Sequence, residues 1–485
     1  MKSIYFLFAL FIAAVFPRSL FAQKDKNAIQ PVMKIQKGLS DDQLLDLVQR
    51  QTFRYFWDNG HPVSGLAPES TLADQTEREI VTIGGSGFGI MAIVVATERK
   101  WITREAAVER MLKILRFLFK ADHYHGMFPH WLNGVTGKTI PFSRNDDGAD
   151  IVESSFLFQG LLAAKQYFNG ENREEREIRN RITTLWNDAE WDWFTRGGIN
   201  VLYWHWSPNQ GWKMNHEIRG WNECFITYIL AASSSQHGIS ADVYHRGWAN
   251  NNYFNNGRDY YGIHLPLGFE YGGPLFFSHY SFLGIDPHGL KDRYADYWEQ
   301  NRNHTLINRE YCIRNPKKFK GYGASCWGLT ASYNPEGYSA HSPTNDLGVI
   351  TPSAALSAFP YTPEYSMQVL RHFYEDLGDK IWSEYGFVDA FNESENWYSK
   401  YHLAIDQGPV RAPEVLDDDL ATDGEDAAMT PRDAVVVQAD LDVHGAADDD
   451  LRTFDLVHLA DVRALEHDEI GRDLLLARPQ LRFER

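Results

Sequence analysis

The 485-residue chain is predicted to be all-α, an (α/α)6 toroid of helical hairpins whose last inner helix is atypical or missing. Three observations predict it. Amphipathic helices alternate with helices that are apolar on every side. The apolar helices are each entered through a Gly-, Pro- or acid-rich loop, near Gly84, Gly148, Gly220, Gly273 and Gly348. Those entries recur about every 55 to 75 residues. A helix with one apolar face suits an outer ring, and one that is apolar all round suits an inner ring. Antiparallel pairing then gathers every inner-helix start at one end.

The elements follow in order. Lys2, the apolar run Ile4 to Phe16 and Leu20-Phe21-Ala22 before Gln23 read as an export signal, residues 1–22. The run is too short to span a membrane. A periplasmic or secreted location is therefore expected, after a linker at 23–38. Ser40-Asp41-Asp42-Gln43 opens a helix that Asn59-Gly60 stops. Gly84 to Gly89 leads into an apolar helix. It lacks the Lys-Ser/Thr of a phosphate-binding loop, so close backbone packing is the better reading. Thr103 to Ala121 and Glu174 to Trp193 are predicted as amphipathic helices. So are Asp292 to Tyr311 and Pro363 to Leu377. Asp242 to Trp248 reads as a short helix followed by a loop, and Gly272-Gly273-Pro274 opens a helix through Phe282. Val349 to Phe359 is small and apolar, and Tyr385 to Asn392 looks extended.

The stretch Arg144 to Phe158 carries the chemistry. Asp147 is placed to cap the helix start. Asp150 and Glu153, three residues apart, share a face one turn further in. Acids in a first turn are also what the helix dipole favours, so this stretch alone decides nothing. Glu223, before the apolar helix at Cys224, adds a third carboxyl at the same end of the ring. Paired carboxyls across a sugar ring suit glycoside hydrolysis. In the inverting form one donates a proton and one activates water, about 6.5–9.5 Å apart. The residues point to Glu223 as the acid, with Asp150 or Glu153 as or near the base. Asp147, Asp346 and Asp389 are candidates for substrate hydroxyls. Trp204, Trp206, Trp212 and Trp327 are candidates for stacking on sugar rings. His205 and His341 read as hydrogen-bonded loop residues, and no metal or cofactor is expected.

Composition sets the outer limits. The chain is 44% hydrophobic and 14% aromatic, so both a large core and exposed aromatic faces are available. A formal charge of −18 argues against nucleic acid or anionic membrane as a partner. Cys224, Cys312 and Cys326 give no disulfide framework; Cys312 and Cys326 are within reach of pairing, but buried free thiols fit better.

Five segments together resemble the bacterial glycoamylase-like proteins, and more closely glycoside hydrolase family 144, the endo-β-1,2-glucanases. They are Thr52 to Trp57, Asp147 to Glu153, Gly220-Trp221-Asn222-Glu223, Ser342 to Gly348 and Tyr385 to Asn392. The likeness covers about Leu39 to Pro409. It implies an (α/α)6 barrel, an exported and anomer-inverting enzyme, and a β-1,2-glucan substrate; a monomer without cofactor is expected. Other readings on the same residues are a different β-glucan hydrolase or transglycosylase, and a non-catalytic glycan-binding protein of the envelope. The joint presence of Asp150, Glu153 and Glu223 favours an enzyme.

The segment 410–485 departs from that pattern. It holds twenty Asp and Glu against eight Arg and no Lys, Asn, Ser, Tyr, Trp or Cys. Such a composition lacks the aromatic surface of a buried inner helix, and a loosely attached acidic tail is expected.

Overall fold

The computed structural model describes residues 29–71, 79–250 and 253–410. The predicted export signal and the acidic tail beyond Val410 lie outside these residues. Met1–Gln30 separates as its own unit, and the ring lies wholly within the larger unit that begins at Pro31.

Helices alternate between two layers. The outer helices are α1 (Asp41–Asp58), α3 (Arg104–Leu118), α5 (Arg173–Asn187), a π-helical segment at Val243–Trp248, α8 (Tyr297–Arg314) and α10 (Pro363–Arg371). Each precedes an inner helix: α2 (Ile83–Glu98), α4 (Ile151–Tyr167), α6 (Phe225–Ser233), α7 (Phe276–His279), α9 (Pro352–Leu356) and α12 (Ala404–Gln407). A short α11 (Gly378–Ile381) lies between α10 and α12. Among the inner helices α2 packs on α4, α4 on α6, α9 on α12, and α12 back on α2. The 3-10 turn Tyr280–Leu283, which continues α7, packs on α6. His279 bonds Ser357 just after α9. These contacts close the ring.

Local chemistry explains the layers. The α1 start is a capping box, with Ser40 accepting from Gln43 N–H and the Gln43 side chain accepting from Ser40 N–H. In α3 the buried residues, Ala107, Met111, Leu112, Ile114, Leu115 and Leu118, form one face. In α2 nearly every residue from Ile83 to Thr97 is buried, so it faces neighbours all round.

Two glycines set the α2–α4 distance. A Cβ on Gly87 would lie 2.1 Å from the Phe156 carbonyl oxygen, and one on Gly160 would lie 2.1 Å from the Gly87 carbonyl oxygen. Both clashes are with backbone, so no side chain can move aside. The Gly-rich run is thus a packing surface, as its sequence predicted.

The strands are short antiparallel pairs at the loop end. A three-stranded sheet joins β1 (Ile80–Thr82), β2 (Trp131–Asn133) and β3 (Thr139–Ile140). β4 (Ala149–Asp150) pairs β5 (His205–Trp206), with Asp150 opposite His205. β6 (Asn255–Tyr260) and β7 (Ile263–Leu267) make a hairpin where a loop was expected. There alternate residues Leu265 and Leu267 are fully buried. β8 (Ala331–Asn334) pairs β9 (Gly337–Ala340), β10 (Trp382–Ser383) pairs β11 (Gly386–Phe387), and β12 (Phe391–Asn392) pairs β13 (Trp397–Tyr398).

Boundaries shifted in three places. The helix expected to reach Trp193 ends at Asn187, and a separate 3-10 turn, Trp191–Thr195, buries Trp191 completely. The helix expected through Phe282 starts at Phe276, because Tyr271, Gly272 and Gly273 all have positive φ. The helix expected from Asp292 starts at Tyr297, where Asp296 caps it. All three cysteines are buried and free.

Gly160→Ala is expected to destabilise the protein by at least about 1–3 kcal/mol, the usual cost of overpacking. Thermal melting measures it. A melting temperature equal to the parent's would mean that the two backbones are not held this close.

Candidate active site

The inner-helix starts meet at the loop end. Asp150, 1% exposed, is the N-cap of α4; its Oδ1 accepts from Val152 N–H at 2.9 Å and Glu153 N–H at 3.0 Å. The cap is therefore Asp150 and not Asp147 as expected. The β4–β5 pairing decides this, since it holds 149–150 extended up to the first helical residue. Asp147 stays in the loop, where its Oδ2 accepts from Asn209 at 2.8 Å.

The other Asp150 oxygen faces histidines. His130 Nδ1 lies 3.3 Å from Asp150 Oδ2, and His205 Nε2 lies 3.7 Å from it. His205 Nε2 also lies 3.3 Å from Asp146 Oδ2. One turn into α4, Glu153 Oε2 accepts from the Gly84 N–H at 2.8 Å. Glu223 lies just before α6, its backbone carbonyl accepting from Ser281 Oγ at 2.7 Å. Its Oε2 is buried without a hydrogen-bond partner.

Crowding acids into a low-dielectric end shifts their protonation. Burial pushes the Glu223 carboxyl up, and the charges of Glu153 and Asp150 add to it, to about 7. Burial also leads for Glu153, joined by Asp150 and Glu69 against the opposing His130, and again the result is about 7. Asp146 is raised to about 7 by burial and by Asp150. Burial alone would raise Asp150, but the His130 hydrogen bond and the nearby His205 outweigh it and hold this carboxyl below its usual range. Burial disfavours the His130 cation, yet Glu153 and Asp150 carry it up to about 10. His205 is lowered, by burial first. The arrangement thus holds one imidazolium–carboxylate pair and, beside it, carboxyls that keep their protons near neutrality.

His130, Asp146 and Asp150 offer ligand atoms within 4.8 Å of one another, and Cys326, His372 and Glu393 do the same elsewhere. In the first group the proton on His130 supplies the positive charge between the acids, so a metal ion would have to displace it.

Of the other predicted residues, Trp206 and Trp212 are half-buried on the aromatic loops, within ring contact of Trp193. Trp204 is in stacked contact with both His205 and His216, whose own rings lie 6.1 Å apart. Trp327 is corrected: it is 0% exposed within the apolar core and has no face for a sugar. Asp346 is also corrected: it accepts from the Tyr311 and Tyr322 hydroxyls and Gly348 N–H, so its carboxylate is consumed in holding loops. Asp389 is 1% exposed and accepts from Tyr333 N–H at 2.7 Å. His341 is fully buried. Sequence reasoning missed His130 and Asp146. No local pattern marks either; the Phe128 carbonyl accepts from Asp150 N–H and so brings His130 alongside, and Asp146 lies in the loop just before β4. It also missed Asp406, in the first turn of α12, which the rule of acids at inner-helix starts could have found.

Comparison with known proteins gives a consistent picture. The glycoamylase family model, described as a candidate glucoamylase, matches residues 215–413. An exo β-1,2-glucooligosaccharide sophorohydrolase (non-reducing end) of Parabacteroides distasonis is 46% identical over 411 residues, covering 80% of this chain. The chain spans only 57% of that relative's length. A Bacteroides uniformis structure solved as a candidate glucoamylase is 64% identical with a TM-score of 0.76, covering 77% of this chain and 91% of that one. The endo-β-1,2-glucanase of Chitinophaga pinensis, solved with sophorotriose and glucose, is 55% identical with a TM-score of 0.75 over the same shares, 77% and 91%.

The raised acids also predict a pH effect on stability. Glu153, Glu223 and Asp146 titrate near 7 when folded, above their ordinary values of 4.5 and 3.8. Their contribution is full below the ordinary values and is lost as pH rises through 7. His130, raised from 6.5, works in the same direction and is lost only toward 10. Buried histidines lowered from 6.5, His279 to about 3 and His304, His341 and His402 to about 4, oppose this below 6.5. The melting temperature should therefore fall from about pH 6.5 to about pH 8. A rise across that window would contradict the assignment.

Proposed function

The chain belongs to the glycoamylase-like proteins of glycoside hydrolase family 144, and from that premise we propose that it is an exported enzyme that hydrolyses β-1,2-glucan internally, with inversion at the anomeric carbon. One observation carries the chemical part. Glu223 stands at an inner-helix start with an unpartnered, buried Oε2 and a carboxyl raised to about 7. A carboxyl that keeps its proton at neutral pH is what a leaving-group oxygen requires. Glu153, on the neighbouring inner helix, is equally raised, and the ionised Asp150 supplies negative charge that helps Glu223 keep its proton. Asp150 cannot leave its cap and its His130 partner without unmaking the start of α4. Its role is to fix that helix and the His130 charge.

Substrate and mode rest on the relatives. The matched proteins whose names state a linkage act on β-1,2-linked glucose. The endo-acting one is matched nearly end to end, whereas the exo-acting one is matched over little more than half its length. Trp206, paired with Ala149 next to Asp150, supplies a flat face for a sugar ring beside the acids, and Trp212 offers a second on the same aromatic loops. Export follows from the Lys2-to-Ala22 pattern, and N-terminal sequencing of the exported protein should begin near Gln23.

The enzyme incubated with linear β-1,2-glucan should release a ladder of oligosaccharides, and NMR of fresh hydrolysate should show the α-anomer first. A β-anomer first would mean a retaining mechanism with the two carboxyls about 5 Å apart. Release of a single small product from one end would replace endo with exo action. Glu223→Gln should lower turnover by at least about 10²-fold with the fold intact. Near-normal turnover at unchanged melting would remove Glu223 from the site.

A further inference from the structure

A thiol, an imidazole and a carboxylate from three separate segments converge beside the end of α10. Cys326 lies in the loop after α8. His372 opens the π-helical segment His372–Asp376 that continues α10, and Glu393 follows β12. One ligand atom from each lies within 4.8 Å of the other two. Cys326 is buried, 2% exposed, among apolar neighbours. The His372 and Glu393 side chains are 25% and 11% exposed, so solvent reaches the cluster from their side. None of the three takes part in the acid cluster around Glu223.

Each residue is held in place before any ligand arrives. Cys326 closes a tight turn, its N–H donating to the Gly323 carbonyl and its carbonyl accepting from Gly323 N–H. Asn392 Oδ1 accepts from Ser394 N–H at 2.9 Å and Glu395 N–H at 3.2 Å, which fixes the turn that carries Glu393. Lys320 N–H donates to Ser394 Oγ at 2.7 Å and ties that turn to the Cys326 loop. Gly321 follows with φ +90°, and a Cβ there would collide with Glu393 Oε1. The glycine thus leaves the space that the carboxylate fills. His372 Nδ1 lies 2.8 Å from Asp376 Oδ2. A carboxylate only accepts, so the ring proton sits on Nδ1 and the lone pair on Nε2. This carboxylate–imidazole bond is the outer support that metal-binding histidines use.

We propose that Cys326, His372 and Glu393 bind a zinc ion that clamps the Cys326 loop, the end of α10 and the β12–β13 turn together. Sulfur, nitrogen and oxygen in one set suit zinc, whereas magnesium and calcium take oxygen ligands. A tetrahedral zinc with bonds of about 2.0–2.3 Å spaces its ligands about 3.3–3.7 Å apart. Small rotations of the part-exposed His372 and Glu393 side chains close the present separation to that. Three protein ligands leave the fourth position to water, which enters from the exposed side. On binding, the Cys326 S–H bond breaks, sulfur keeps the electron pair and bonds zinc, and the proton goes to solvent. Burial and Glu393 both push that thiol up, so the ion displaces a proton rather than finding a free thiolate. The thiolate and the Glu393 carboxylate then cancel the charge of the ion. Two lysines compete for Glu393. Lys320 Nζ lies 3.8 Å from Oε2 but its side chain is 70% exposed, so the pair is weak. Lys380, also exposed, bonds the Tyr398 hydroxyl at 3.1 Å.

The test uses the full chain, stripped with a chelator and then titrated with Zn²⁺ or with Co²⁺ as a coloured probe. Zn²⁺ should raise the melting temperature in a concentration-dependent way, with one ion bound per chain. Co²⁺ should give a thiolate-to-metal charge-transfer absorption that Zn²⁺ abolishes. The other group of ligand atoms, His130, Asp146 and Asp150, contains no sulfur, so an ion bound there gives no such band. Cys326→Ala should remove the band. His372→Gln and Glu393→Gln should each weaken Zn²⁺ at least about 10-fold, and Asp376→Asn, which loses only the outer support, about 10–100-fold or less. If Cys326→Ala fails to fold, the two part-exposed positions decide, since neither lies in the core. A Co²⁺ adduct without the thiolate band overturns the proposal. So does a melting temperature that Zn²⁺ leaves unchanged, or Zn²⁺ binding that survives His372→Gln and Glu393→Gln undiminished.

Discussion

The contact between α2 and α4 governs the rest. Gly87 and Gly160 let two backbones touch where any side chain would collide with a carbonyl oxygen. That approach carries Gly84 N–H to Glu153 and leaves no room for even a Cβ there. Hydrophobic burial alone would tolerate a looser spacing, since it is proportional to area and indifferent to direction. The glycines replace that tolerance with one distance. The start of α2 then stands between Glu153 on α4 and Ala404 at the start of α12.

Gathering helix starts at one end has an electrostatic consequence. Helix N-termini favour anions, so acids collect there without help. Past a certain density the acids oppose one another more than the dipoles favour them. The protein resolves this unevenly. Asp150 stays ionised because it caps α4 and pairs with His130, while Glu153, Glu223 and Asp146 retain protons near neutrality. Two roles thus come from one residue type, set by partners and burial.

Much of this was legible in the residues. The ring rhythm, the capped start of α1 and the placement of Glu153 and Glu223 at inner-helix starts follow from period and local chemistry. Where sequence reasoning failed, contacts distant in the chain decided. Asp147 and Asp150 both suit a cap, and pairing with His205 and Trp206, far along the chain, selects Asp150. Asp346 looks like any loop acid until Tyr311 and Tyr322 close on it. Trp327 cannot be told from a sugar platform by type, because indole suits a core as well as a rim. Asp406 was passed over because the sixth inner helix begins where the chain's composition changes, and no apolar run announced it.

The account turns on Glu223 keeping its proton at neutral pH. Carboxyl carbon NMR of protein labelled at Glu, with the Glu223 signal assigned by its absence in Glu223→Gln, measures this directly. The account predicts a titration midpoint near 7. A midpoint near the ordinary value of 4.5 would contradict it, because Glu223 would then be an anion at neutrality and could not donate a proton.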